Sequence, residues 1–189
     1  MEDIILVGYG GHAKSVADCI ERSKEYRIIG YTEPAKVESR YPYLGTDDVL
    51  TEYFNKGIRN VAICQGYLGH GELRQKIYKN VKDIGFTLPV ITDPSCIVSE
   101  TATIGEGTFI GKGAIVNSYA RVGKMCILNS MSLIEHECNI MDFSHVAVAA
   151  VLCGQVKVGN SAFIGANATV IQCMEIPDGK IIPAGATVR

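Results

Sequence analysis

From Val98 to Val188 every sixth residue is aliphatic: Val98, Ile104, Ile110, Val116, Val122, Leu128, Ile134, Ile140, Val146, Leu152, Val158, Ile164, Val170, Ile176, Ile182 and Val188. The residue two before each is usually small, as at Ala102, Ala114, Ala120, Ser132, Ser144, Ala150, Ala162, Ala168 and Ala186. The residue after is often Gly, as at Gly105, Gly111, Gly123, Gly159 and Gly165. A six-residue period is neither helical nor that of a simple alternating strand. It predicts a parallel β-helix of hexapeptide repeats. Each hexad supplies a short strand and a turn, and three hexads close one triangular coil. The aliphatic residue points inward and the small residue fits near the corner. The glycines are expected to ease turns of unusual dihedral angle. The sixteen hexads make about five coils, a prism about 25 Å tall at the usual interstrand spacing, in which each coil contacts only its neighbours.

Residues 1–92 carry no hexad and read as alternating strands and helices. Ile4–Val7 is a buried strand, followed by a glycine turn, Gly8-Tyr9-Gly10-Gly11-His12, and a helix from about Ala13 to Ser23. Arg27–Tyr31 is a second strand, Asp47–Asn55 a helix with Thr46 as N-cap, and Arg59–Cys64 a third strand. Gly71–Asp83 is a third helix, with His70 in the loop before it, and Phe86–Ile91 a last strand. Asp93-Pro94 marks the boundary. The βαβαβ order predicts a small parallel, Rossmann-like sheet, so the expected organisation is an α/β unit over 1–92 and a β-helix over 93–189.

Composition narrows the picture. The 189 residues carry a formal charge of −2, which leaves no basic footprint for nucleic acid. No apolar run is long enough to cross a membrane, and the N-terminus lacks a signal-peptide pattern. A soluble, cytoplasmic protein is the expectation. The seven cysteines, with no CxxC pair, read as reduced, packed thiols.

The glycine turn nearly matches a dinucleotide fingerprint, with Gly8 and Gly10 in the first two places and Ala13 in the third. Backbone N–H groups at a helix N-terminus suffice to bind phosphate. Glu33, at the end of the second strand, suits ribose hydroxyls. About 90 residues are too few for a full dinucleotide domain, so a mononucleotide or nucleotide-sugar fits better.

Of the four histidines, His12 lies in the glycine turn, and His136 and His145 lie on the prism, off its aliphatic ladder. His136 and Glu137 together suit general-base chemistry, in which a neutral imidazole takes a proton and a carboxylate orients the ring. Two rivals are weaker. Zinc shared between prisms needs three histidines, and a nucleophilic Cys138 or Cys153 has no adjacent histidine in sequence. No metal is expected.

The whole chain, over roughly residues 3–188, resembles the bacterial sugar acyltransferases that join a small nucleotide-sugar domain to a left-handed β-helix. It looks most like the N-acetyltransferases acting on UDP-4-amino-4,6-dideoxy sugars, and sialic-acid O-acetyltransferase-like proteins share the layout. The motifs that carry the resemblance are Gly8-Tyr9-Gly10-Gly11-His12-Ala13-Lys14, Asn129-Ser130-Met131-Ser132-Leu133-Ile134-Glu135-His136-Glu137 and Phe143-Ser144-His145-Val146.

The resemblance implies acetyl-CoA as co-substrate, His136 as general base and Glu137 as the carboxylate that raises its basicity. It implies His145 near the thioester, Gly154 as a backbone site near the acyl group, and Ala166 and Ala184 along the pantetheine arm. For the acceptor it implies Gly10, Gly11, His12, Glu33 and Cys64 around the nucleotide, and Asn117 and Asn129 near the sugar. The segment Ile63-Cys64-Gln65-Gly66-Tyr67 departs from the family's usual glycine directly after the strand, so UDP, dTDP and GDP all stay open. Relatives usually continue through a Gly-x-Pro-Ala-Lys-like tail beyond the position of Arg189, which leaves the CoA end of the site the least defined. A homotrimer with its site between subunits is the expected assembly. O-acetylation of a sialic-acid-like sugar, and a non-catalytic trimer that binds nucleotide sugars, are the alternatives.

Overall fold

The computed structural model describes residues 1–66 and 71–189. The segment 67–70, which contains His70, lies outside the described residues.

The N-terminal unit is a four-stranded parallel sheet: β1 (Glu2–Val7), β2 (Tyr26–Thr32), β3 (Tyr43–Gly45) and β4 (Asn60–Ile63), in the order β3-β2-β1-β4. Ile4 to Val7 are fully buried, as a central strand of a two-sided parallel sheet requires. Strand β1 pairs with β2 on one side and β4 on the other. The strand order therefore reverses at the carboxyl end of β1, where ligands of such sheets bind.

Helices α1 (Gly11–Ser23) and α3 (Glu72–Ile84) are amphipathic; α1 buries Ala13, Val16, Ala17, Cys19 and Ile20, and α3 buries Arg74 and Val81. α1 starts two residues earlier than the pattern predicts, so His12 lies in its first turn. The predicted Asp47–Asn55 helix is a 3-10 turn (Asp47–Val49) running into α2 (Leu50–Asn55). Thr46 donates to Asp48 Oδ2 at 3.0 Å and makes no side-chain cap.

Strand β3 has no counterpart in the hydrophobic pattern, because three residues are too few to show a period. Conversely, Phe86–Ile91 is not a strand of this sheet. Only Thr87 bridges to Asn60, and Pro89, which has no N–H to donate, lies two residues on. Ile91–Thr92 instead pair with Phe109–Ile110 as the first rung of the prism.

The prism is a left-handed parallel β-helix of about five coils. Its two-residue strands stack into three parallel sheets, each residue pairing with the one eighteen further on. The ladder aliphatics form one continuous core, with Val116, Leu128, Ile134, Val146, Leu152, Val158, Ile164 and Val170 all at 0% exposure. Burial of each such side chain contributes about 1.5–3 kcal/mol.

The glycines after the ladder residues serve a different purpose from the one expected. The left-handed backbone conformation recurs every six residues from Gly107 to Gly185, two residues after those glycines and mostly on non-glycine residues. At Gly105 and Gly165 an added Cβ would lie 2.5 Å from backbone atoms of the next coil. Close stacking of coils selects glycine there.

The three outer faces differ because the residue before each ladder position points outward. One face shows Phe109, Ile127, His145 and Phe163 and is covered by the N-terminal unit. A second shows Thr103, Arg121, Asn139, Lys157 and Glu175 and faces solvent, with Lys157 paired to Glu175 at 2.6 Å. The third shows Ile97, Ile115, Leu133 and Val151 with nothing over it among the described residues, and Ile97 is 64% exposed. The two units are joined by Arg22 to buried Asp93 at 3.0 Å, Tyr78 donating to Glu106 at 2.7 Å, and Gln75 donating to Ser161 at 3.1 Å.

Candidate active site

A cavity of about 940 Å³ opens between the N-terminal unit and the covered face of the prism. Gly10, Gly11, His12, Glu33, Cys64, Asn129 and His145, seven of the candidate residues, line it together. Gly8 turns the chain out of β1 at φ +91, a conformation that favours glycine. Among the described residues, no atom lies within 4 Å of where a Cβ on Gly10 or Gly11 would sit. Glu33 Oε2 accepts from the Tyr9 N–H at 2.6 Å and so ties β2 to the glycine turn.

His12 lines the cavity, and its ring meets Phe109 edge-on at 5.0 Å. Burial, helped by the nearby positive Arg74 and by His145, pushes its pKa down to about 3, so it stays neutral. His145 is 7% exposed, lies edge-on to Phe163 at 5.0 Å, and approaches Asn129 Nδ2 through Nε2 at 3.4 Å. Cys64 is buried, and burial pushes its thiol well above the ordinary range.

His136 and Glu137 lie elsewhere, at the corner between the open apolar face and the polar face. His136 Nδ1 is 3.1 Å from Glu137 Oε2. A carboxylate only accepts, so Nδ1 carries the hydrogen and Nε2 presents its lone pair. The imidazole ring packs against Gly154, where an added Cβ would lie 2.5 Å from Nε2 and 2.6 Å from Cε1. Gly154, eighteen residues on, is thus one coil above the ring and leaves it room. Asn117, one coil below, donates to Glu135 Oε2 at 3.0 Å, and the same oxygen accepts from the His136 N–H at 3.2 Å. Asn117 therefore braces this corner rather than lining the cavity.

Ala166 and Ala184 lie on a third line, the corner between the covered and the open face. With Ser130 and Val148, both lining the cavity, they form a column of short side chains on successive coils leading away from it. Among the described residues the backbone N–H groups of Val148, Gly154, Ala166 and Ala184 donate no hydrogen bond. The two prism corners flank the open apolar face, so one protomer keeps its cavity and its His–Glu pair on opposite edges of that face.

The nucleophilic-cysteine rival finds little support. Burial pushes the Cys138 thiol up to about 11, the reverse of what a nucleophile needs. No cluster of three metal-ligating side chains occurs among the described residues. Ser15, Gln65, Gly66, Leu73, Ile127, Ser130 and Val148 also line the cavity. Ser130 and Val148 follow from extending the column of Ala166 backwards by eighteens. Gln65 and Gly66 follow from the strand-end rule, whereas nothing local marks Leu73.

Residues 3–81 match the PglD N-terminal domain. The chain is 27% identical over 123 residues to GDP-perosamine N-acetyltransferase of Escherichia coli O157:H7, covering 65% of this chain and 51% of that protein. It thus spans about half the length of this curated relative. A histidine-to-asparagine variant of perosamine N-acetyltransferase from Caulobacter crescentus, solved with CoA and GDP-perosamine, superposes with a TM-score of 0.94 and 28% identity, covering 100% of this chain and 89% of that one. The acetyltransferase domain of PglB from Neisseria gonorrhoeae FA1090 superposes with a TM-score of 0.92 and 26% identity, covering 100% and 92%. Over its whole length the chain is similar to the hexapeptide-repeat acetyltransferases of bacterial nucleotide sugars.

Proposed function

We propose that the protein transfers an acetyl group from acetyl-CoA to the amine of a nucleotide-linked 4-amino-deoxy sugar. The observation that carries this reading is the His136–Glu137 pair, 3.1 Å apart, with the imidazole seated in the space that Gly154 leaves. The acceptor amine attacks in its neutral form. His136 Nε2 takes its proton as the new N–C bond forms, and Glu137 stabilises the imidazolium through Nδ1. The tetrahedral intermediate then collapses with cleavage of the C–S bond, and the CoA thiolate leaves as the thiol with the proton that His136 gives up. The Gly154 N–H suits the charge that develops on the thioester oxygen. The N–H groups of Val148, Ala166 and Ala184 suit the amide carbonyls of a pantetheine arm. The cavity takes the nucleotide: the N-terminus of α1 faces its diphosphate, and the open space at Gly10 and Gly11 allows a close approach. Because two similar perosamine enzymes carry GDP-perosamine in their names or crystals, GDP joins UDP as the first nucleotide to test.

The same reading makes the working unit a homotrimer in the cytoplasm. The open face with Ile97, Ile115, Leu133 and Val151 supports this, since burying it against a second prism removes apolar surface from water. Such packing brings the cavity corner of one protomer towards the His136 corner of the next.

The test is turnover of labelled acetyl-CoA with a panel of UDP-, dTDP- and GDP-linked 4-amino sugars and with CMP-sialic acid, read by product mass. One acetyl group on an amino-sugar nucleotide is expected. In His136→Ala the rate should fall by about 10²–10⁴-fold. Acetylation of the sialic-acid acceptor alone, no product with any acceptor, or unchanged turnover in the variant overturns the reading.

A further inference from the structure

The hydrogen bonding around His136 does not stop at Glu137. Glu137 Oε2, which meets His136 Nδ1 at 3.1 Å, also accepts from Gln155 Nε2 at 3.2 Å. Gln155 Oε1 in turn accepts from the Cys173 thiol at 3.3 Å. Glu137, Gln155 and Cys173 are eighteen residues apart, at one corner of three successive coils, each in the left-handed conformation at φ 58, 63 and 63. The chemistry orients the amide unambiguously, because a carboxylate only accepts and a thiol donates.

We propose that Gln155 is a positioning residue for the base, holding Glu137 so that the carboxylate holds the imidazole. This rests on the reading of His136 as the base. The Glu137 side chain is 51% exposed, and a carboxylate so exposed has several rotamers and ready water partners. A second anchor on its hydrogen-bonding oxygen selects the rotamer that faces Nδ1. Second partners of this kind fix ring orientation and tautomer. The backbone of His136 is braced separately, through Glu135 and Asn117. The charged and titratable groups around the ring are Glu135 and Glu137 on its own coil, Tyr119 and Arg121 across the groove beside Glu137, and Cys153 and Cys173 on the coils above.

The experiment uses Gln155→Met, which keeps length and removes the amide, and Gln155→Glu, which keeps length and adds a charge. Gln155 is exposed, so both should fold, and circular dichroism checks that. The His136 ring is followed by NMR in protein with 15N-labelled histidine, its signals identified by their absence in His136→Ala. In Gln155→Glu the titration midpoint of the ring should rise by about half a pH unit or more, since a second carboxylate stabilises the imidazolium. In Gln155→Met kcat should fall about tenfold, with KM for acetyl-CoA changed less than about twofold. If His136→Ala is inactive and neither Gln155 variant moves the ring midpoint or kcat, the base stands and the role of Gln155 is overturned. If the midpoint moves but His136→Ala turns over normally, the base assignment fails and takes the catalytic part of this inference with it.

Discussion

A methyl group at position 154 would collide with the proposed base. An alanine Cβ there would lie 2.5 Å from His136 Nε2 and 2.6 Å from Cε1, whereas ordinary van der Waals contact begins at 3.4 Å. The ring must therefore retreat by about 0.9 Å, the difference between those two distances. Gly154 does not use the left-handed region, so alanine meets no backbone strain. The His136 side chain is 54% exposed, so the ring has solvent to move into and folding loses little. Gly154 itself is buried, but the atoms in the way belong to that movable ring, so a cost of about 1 kcal/mol or less is expected, worth about 2–4 °C or less in Tm at this chain length. Catalysis is less tolerant. A misplacement of about 1 Å can cost about 10²-fold, so Gly154→Ala should lose about that factor in kcat while it melts almost like the wild type. Steady-state release of free CoA thiol, alongside a thermal melt of the same preparation, measures both. Wild-type kcat with an unshifted melt would refute the placement of Nε2 over Gly154.

Three further outcomes are expected. Gly165→Ala is the contrast to Gly154→Ala, because its Cβ would lie 2.5 Å from the backbone nitrogen of Ala184. Overpacking of about 1–3 kcal/mol should lower Tm by about 2–12 °C, and an unchanged melt would sink the close-stacking account of the hexad glycines. His12 has its pKa lowered from 6.5 to about 3, so the folded state resists protonation that the unfolded chain accepts. Its contribution is fully present above about pH 6.5 and is lost as pH falls towards 3. His12→Gln should therefore lose less stability in urea between pH 7 and pH 4 than the wild type, and an equal loss contradicts the burial of its neutral ring. Leu133→Glu places a charge on the open apolar face without touching the ladder; sedimentation should show a folded monomer of low activity, and a persistent, fully active trimer counts against that face as the interface.

What the chain's own pattern determined was the prism. A period of six over sixteen positions has one structural solution, because each rung depends only on its neighbours and the core is a one-dimensional ladder. The same locality made His136 and Glu137 legible, adjacent in sequence where glycine gives way to charge, and put Gly10, Gly11 and His12 at the mouth of a strand.

The tertiary structure decided which of these residues meet. It brought Asn129 and His145 of the prism to Gly10, His12 and Glu33 of the sheet, because the apolar face of Phe109 and Ile127 is the one the N-terminal unit covers. It kept Asn117 and His136 at the opposite edge of the open face. It also showed that glycine follows the ladder for want of space between coils, and that Gln155 reaches Glu137. Contacts between residues eighteen apart need the coil to close, and contacts between the two units need the docking angle. Neither is written in any local run of residues.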